Sequence, residues 1–405
     1  MLPRQPTADL AGHVDHFGPR PDGGRRLIAE VDRAGLRGRG GAGFPTAVKM
    51  QAVAQRHRSV VVANGTEGEP ASSKDKALLT LAPHLVLDGA VAAAEAVGAR
   101  RVILCIERSA GTAIDAVFAA LDERREERLD RLAIEVATTP SRYVVGEESA
   151  LVQLLNGGEA KPTFVPPRPF ERGVGGQPTL VQNVETLAHV GLIERFGAAW
   201  FRSVGTLGDP GTMLVTVSGA VRHPGVYEVP LGVAVSAVIA HAGGSSAGLA
   251  AVLVGGYFGT WISASDDAVL GRESLGGLSA ALGCGVLIAL PSGACGLLQT
   301  AGIVRWLAAQ NAGQCGPCVN GLSAIAAAMD LVALADPGGD AERRLQRWLA
   351  MVKGRGACRL PDGTARLVES GLRVFADEVT RHRVVGPCPA ARQIPLPLPN
   401  PGGWR

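Results

Sequence analysis

Hydrophobic positions in the first third of the chain switch between two periods. Leu27, Ile28, Val31, Ala34 and Leu36 recur at helical spacing, and so do the apolar residues of His84–Val97 and Ala113–Arg128. Ser59–Ala63 is a short β-branched run, and Arg101–Ile106 and Ala133–Ala137 read as further strands. Strands alternating with helices predict a parallel sheet with helices on its faces. The charged run Glu123–Arg131 reads as the solvated end of the second helix. Pro162, Pro166, Pro167, Pro169 and Pro178 then mark an extended loop. A β-rich module follows near Thr212–Val229, with a hairpin phrase over Val217–Gly225. Beyond Ser292 the pattern turns helical. Gly296–Gln310, Val319–Leu334, Ala341–Val352 and Thr364–Val379 are amphipathic and predict a small helical bundle. No internal repeat emerges.

Composition narrows this picture. The chain has 405 residues, of which 46% are hydrophobic and 19% charged, as expected for a packed protein of several domains. Aromatics at 4% and a net charge of +3 leave neither a base-stacking surface nor a basic footprint, so nucleic acid is not an expected partner. Val229–Ser265 lacks Asp, Glu, Lys and Arg, but glycines at 243, 244, 255 and 256 cut it into short pieces. It reads as buried strands and a helix rather than a membrane span. No apolar leader stands near the start, so the expected location is cytoplasmic, or peripheral on a membrane complex.

Four constellations carry chemistry. Gly38-Arg39-Gly40-Gly41-Ala42-Gly43-Phe44-Pro45-Thr46 puts four glycines in six residues around an arginine, with Lys49 soon after. Exposed backbone N–H groups and nearby cations make such a turn a phosphate cradle. Asn64-Gly65-Thr66-Glu67-Gly68-Glu69 follows the first strand, where open α/β sheets place ligands. Tyr143–Ser149 ends with Glu147 and Glu148 opening a helix. Cys315-Gly316-Pro317-Cys318 with the later Cys358 could hold a metal or an iron–sulfur cluster, or form a redox dithiol, although no βαβ unit of the thioredoxin kind surrounds it. Cys105 and Cys284 lie in apolar runs and read as core. The eight histidines show no HExxH spacing and read as structural, and no GxSxG phrase supports a hydrolase.

In this order the phrases AGLRGRGGAGFPT, NGTEGEPASSKD, YVVGEESAL, GGQPTLVQNVETL and CGPC resemble the NADH-binding flavoprotein subunit of respiratory complex I. The likeness runs from about Leu27 to Thr380. It implies an α/β fold with a Rossmann-like FMN and NADH domain over 1–205, a β-grasp (ubiquitin-like) module of the soluble-ligand-binding type over 206–290, a helical iron–sulfur domain over 291–385 and a tail from 386 to 405. It further implies that Gly38, Arg39, Gly40, Lys49, Asn64, Gly146, Glu147 and Asn183 bind FMN. Phe44, Glu69 and Glu148 would meet NADH, and Cys315, Cys318 and Cys358 would bind the cluster. Hydride would pass from NADH directly to the flavin, with no catalytic side chain, and electrons would continue to a ferredoxin-like or other iron–sulfur component of a hetero-oligomer.

Departures from the resembled pattern gather on one side. Thr66 stands where the family has aspartate, Ala52 where it has a phenylalanine that stacks on adenine, and Val165 and Arg168 where it has lysine and phenylalanine. The first of the family's four cluster cysteines falls on Ala312. The fourth ligand is then Cys295, Cys388, a non-cysteine group or water, and the cluster is [4Fe-4S] or [3Fe-4S]. The chain is expected to oxidise NADH through FMN. The alternative is an electron-transfer component that has lost NADH oxidation.

Overall fold

The structure, a computed structural model, describes residues 1–2, 7–245, 247–388 and 396–405, so the expected tail lies partly outside it. Three short helices, α1 (Leu10–Phe17), α2 (Arg26–Ala34) and α3 (Thr46–Ala54), precede strand β1 (Val60–Gly65). Helices α4 (Lys74–Leu81) and α5 (Pro83–Val97) lead to β2 (Arg101–Glu107), α6 (Gly111–Glu126) and β3 (Ala133–Thr139). Then come α7 (Glu148–Leu155), β4 (Thr179–Asn183) and α8 (Val184–Phe201). The four strands form one parallel sheet in the order β3-β2-β1-β4. Central β1 is buried along nearly its whole length, whereas edge strand β3 alternates, as position in a parallel sheet dictates. The chain leaves β1 toward β2 on one side and returns beside it as β4 on the other, so the sheet has its topological switch point between β1 and β4.

Helices α5 and α8 cover this sheet at backbone contact. A Cβ on Gly89 would stand 1.7 Å from the Leu187 carbonyl oxygen, so only glycine fits there. Alanines fill most of the remaining α5 surface, which explains why the pattern is apolar all round.

The second sheet is mixed, in the order β6-β5-β9-β7-β8. It comprises β5 (Thr212–Gly219), β6 (Gly225–Pro230), β7 (Leu249–Val254), β8 (Thr260–Ser263) and β9 (Val286–Pro291), with α9 (Val235–His241) and α10 (Arg272–Gly277). β5 and β9 pair in parallel at its centre and the other pairs are antiparallel, the arrangement of a β-grasp. The charge-free stretch accordingly supplies α9, β7 and β8.

The C-terminal part contains α11 (Gly296–Ala309), α12 (Ser323–Leu334), α13 (Asp340–Val352), α14 (Leu360–Val374) and α15 (Ala376–Val384). The fourth predicted helix is two helices. It breaks at Phe375 (φ −106°, ψ 32°), whose ring is buried 5.3 Å from that of Trp261 and fills the space beside Gly296. Apolar residues keep their period across the break, so the pattern alone does not reveal it. A wide helical turn, Pro317–Leu322, leads into α12. Together they form the one unbroken helical stretch among the described residues that is long and apolar enough to cross a membrane, and half of it is buried inside the protein.

The charged run at the end of α6 is a correction to the solvated reading. Arg124 is buried and pairs with Asp88 at 2.8 Å and with Asp130 at 2.7 Å, while Glu123 accepts from the Leu10 amide and meets His84. Asp88 on α5 also binds Arg195 and His13, and these partners hold its carboxyl well below the usual carboxylate range against the opposing effect of burial. Helix periodicity could not show that a second acid, 36 residues away, awaits Arg124.

Removing Asp88 would leave two buried arginines unpaired. Asp88→Ala is expected to lower unfolding stability by about 3–5 kcal/mol in urea titration, whereas Arg101→Ala, which breaks an exposed pair, shifts it by less than about 1 kcal/mol.

Candidate functional site

The glycine loop lies over the switch point. Its ends are pinned: Gly38 N–H donates to the Phe44 carbonyl at 2.9 Å, and Thr46 N–H to that of Leu36 at 3.0 Å. Between these pins the backbone turns through φ values of +114° at Gly41 and +61° at Gly43. Among the described residues, the amides of Gly40, Gly41, Ala42 and Gly43 have no protein acceptor. Gly40 lies against Asn183, where a Cβ would sit 3.1 Å from the asparagine Cβ. Arg39 is buried, with its amide on Thr186 Oγ1 and its Nη2 on the Thr212 carbonyl, both at 2.9 Å; its Nε has no partner. Free amides in a left-handed glycine turn beside a buried guanidinium fit an anionic group such as the flavin phosphate.

Asn64 and Asn183 end the neighbouring strands β1 and β4 in register. Asn64 Nδ2 donates to the Gly146 carbonyl at 2.9 Å, and Asn183 Nδ2 to the Asn64 carbonyl at 3.2 Å. Gly146, Asn64, Asn183 and Gly40 therefore form one continuous contact across the carboxyl edge of the sheet. Glu147 caps α7, accepting from the amides of Ser149 and Ala150, and burial raises its pKa. Lys49 Nζ reaches Glu148 at 2.7 Å and the Val181 carbonyl at 3.1 Å, which brings a cation and a carboxylate to the same rim.

The nucleotide-facing residues are dispersed by comparison. Phe44 is half exposed at the lip of the loop. Glu69 is buried and its carboxylate is engaged: it accepts from the Tyr257 amide at 2.7 Å, Tyr143 Oη at 3.0 Å and the Ala71 amide at 3.2 Å. Burial pushes its carboxyl up to about 7. It thereby joins the loop after β1 to the second sheet. Thr66 turns its hydroxyl inward to Thr139 at 3.2 Å. Arg168 stands exposed with Nη1 4.0 Å from Glu148.

Sequence reasoning missed the support beneath the asparagines. Lys74 is buried and holds Asp75 at 2.6 Å, Glu185 at 2.9 Å and Asn183 Oδ1 at 3.2 Å. Burial opposes its charge, but Asp75 and Glu185 outweigh that effect and raise its pKa. Asp75 in turn accepts from Asn183 Nδ2 at 2.7 Å. The Lys-Asp doublet after an acidic turn was the only available signal, and nothing in it marks burial.

The cluster cysteines converge. Cys315 and Cys318 are in thiol contact, and Cys318 also accepts from the amides of Ala312 and Gly313. Cys358, just before α14, lies within electrostatic reach of both and of Glu147. Burial pushes Cys318 up to about 11 and Cys358 up to about 12, so these thiols favour a soft cation over free thiolates. Three thiols around a buried Ala312 fit a cluster with three protein ligands. Cys295 cannot be the fourth. It caps the start of α11, and about 20 Å of helix separates it from the cysteine loop. Cys388 lies beside Cys295 and is excluded with it.

Known proteins agree with this layout. Family models match for a Nuo51 FMN-binding domain at residues 31–192, an SLBB domain at 214–254 and an NADH-ubiquinone oxidoreductase-F iron–sulfur binding region at 294–382. The chain is 31% identical to the second F-type subunit of the NADH-quinone oxidoreductase of Rhizobium meliloti (strain 1021), covering 90% of each. It is 30% identical to the NADP-reducing hydrogenase subunit HndC of Solidesulfovibrio fructosivorans, covering 90% of this chain and 77% of that one. A solved chain of an air-oxidized NAD+-reducing [NiFe]-hydrogenase superposes with a TM-score of 0.83 at 32% identity, over 92% of this chain; this chain spans 65% of that one.

The Glu69 joint has a pH signature. Its folded value of about 7 exceeds the ordinary 4.5, so its contribution to stability is complete below pH 4.5 and is lost as pH rises through 7. Glu69→Gln is expected to flatten the decline in urea-unfolding stability over that window by up to about 3 kcal/mol. An unchanged slope would show that Glu69 is already ionised in its pocket.

Proposed function

The chain belongs to the family of NADH-quinone oxidoreductase F-type subunits, and from that premise we propose that it binds FMN across the β1/β4 switch point, takes electrons from NADH and delivers them to an iron–sulfur cluster on Cys315, Cys318 and Cys358. The observation that carries this reading is the set of unclaimed amides at Gly40–Gly43 above the paired Asn64 and Asn183. When bound, FMN supplies the conversion of a two-electron donor into single electrons.

The chain's own part is placement and charge. Gly38 fixes the loop, Gly40 allows it to close on Asn183, and the free amides with Arg39 receive the phosphate. Asn64, Gly146 and Asn183 form the polar floor for the ribityl chain and ring, with Glu147 and Lys49 at its border. Phe44 and Glu148 face the nucleotide from the rim, and Glu69 acts from behind as the joint to the β-grasp module. The three thiols give the cluster three ligands, leaving one position to water or another external group. We assign the units as 1–205, 206–290 and 291–385. The relatives' names as subunits support a hetero-oligomer with an iron–sulfur partner, placed on the peripheral side of its complex.

A second reading, electron transfer without efficient NADH oxidation, is favoured by one group of observations. Thr66 is turned inward, Ala52 offers no ring, and exposed Val165 and Arg168 replace a cation and an aromatic of the resembled pattern.

Two measurements test these readings. Gly41→Val, at a φ of +114°, is expected to cost about 1–3 kcal/mol of local strain and abolish flavin retention while the circular dichroism spectrum is kept. The double variant Ala52→Phe/Arg168→Phe is expected to tighten NADH binding about tenfold, as two regained aromatic contacts would. If the unaltered chain already binds NADH at micromolar levels and the double variant gains nothing, the nucleotide side is not eroded.

A further inference from the structure

Cys295, Glu378, His382 and Cys388 bring one ligand atom each within 4.8 Å of one another. The fold, not the sequence spacing, assembles them. Cys295 is the cap residue of α11, while Glu378 and His382 lie one helical turn apart on the same face of α15. Gly386, at φ +98°, turns the chain back so that Cys388 meets His382. Cys295 Sγ lies 3.1 Å from Glu378 Oε2 and 3.7 Å from His382 Nε2, and that nitrogen lies 3.2 Å from Cys388 Sγ. A tetrahedral ion with bonds of about 2.0–2.3 Å holds its ligand atoms about 3.3–3.8 Å apart.

We propose that these four residues bind one zinc ion, at the opposite end of α11 from the three cluster cysteines. Two sulfurs, an imidazole and a carboxylate are the donors of a closed structural zinc site. The imidazole presents Nε2 as a lone pair, since that atom accepts the Cys388 amide at 3.2 Å. It stands between the two sulfurs. Glu378 is already oriented, accepting from the amides of Gly296 at 3.2 Å and Leu297 at 3.1 Å. Zinc with two thiolates and one carboxylate carries a net charge of −1. Arg381, with Nη1 3.4 Å from Cys388 Sγ, and the positive end of α11 offset it. On binding, each thiol gives its proton to solvent as the metal–sulfur bond forms, and no oxidant is required.

The full chain, purified anaerobically with zinc supplied, tests this. Elemental analysis is expected to give one zinc per chain in addition to iron. Zinc-edge X-ray absorption is expected to show two sulfurs at about 2.3 Å and two lighter atoms at about 2.0–2.1 Å. Cys388→Ser, at a half-buried position near the end of the described bundle, should lower zinc retention at least tenfold against a weak chelator with flavin and iron unchanged. His382→Gln should do the same. Four results each overturn the proposal: zinc below a tenth of an equivalent, a shell of nitrogen and oxygen only, zinc lost on Cys315→Ser but kept in Cys388→Ser, or a 2 Da mass deficit marking a Cys295–Cys388 disulfide.

Discussion

Lys74 has no access to water, and the floor of the site rests on how that charge is met. A buried ammonium is tolerable only when anions and acceptors enclose it. Asp75 and Glu185 supply the charge and Asn183 the remaining acceptor. Each partner has a second duty. Asn183 ends β4, spans to β1 and begins α8. Glu185 also accepts the Leu214 amide of β5 at 2.8 Å, which ties the second sheet to the first. A single solvation requirement therefore fixes the switch point, the start of a helix and the approach of a neighbouring unit. The glycine loop needs no rigid scaffold of its own because Gly40 rests on an asparagine that cannot move without exposing that charge.

The β-grasp module and the helical part are held at a second node. Glu69 receives an amide from the second sheet and a phenol from Tyr143, whose ring packs on Phe258 and Trp306. The flavin-side loop, the central sheet and the bundle thus meet around one carboxylate. Keeping Glu69 in that role removes it from the rim, so on the nucleotide side Glu148 remains the carboxylate within reach of Lys49 and Arg168.

Much of this was legible in the sequence because it depends on local rules. Alternating periods marked β1, α5, β2, α6 and β3 to within a few residues, and turn chemistry marked the glycine loop. Ordered phrases located Asn64, Gly146 and Asn183, which the fold then brings into one hydrogen-bonded row. What could not be read was pairing across distance. Arg124 looked solvated until Asp88 supplied a partner, and Lys74 looked like an ordinary helix-start cation. His382 looked structural because its companions lie 87 residues before it and six after it in the chain. The break at Phe375 was hidden because apolar spacing continues through it.

That break decides the shape of the bundle. Continued straight, α14 would have carried residues 376–384 about 14 Å farther along its axis, into solvent. Folded at Phe375, the same nine residues lie back along α11 and α12. The bulky ring acts as a doorstop: it fills the hollow left by Gly296 and sets the angle at which the last helix closes. A smaller residue at 375 would leave that angle unset, and the chain end would lose its berth while the sheet domains stayed intact.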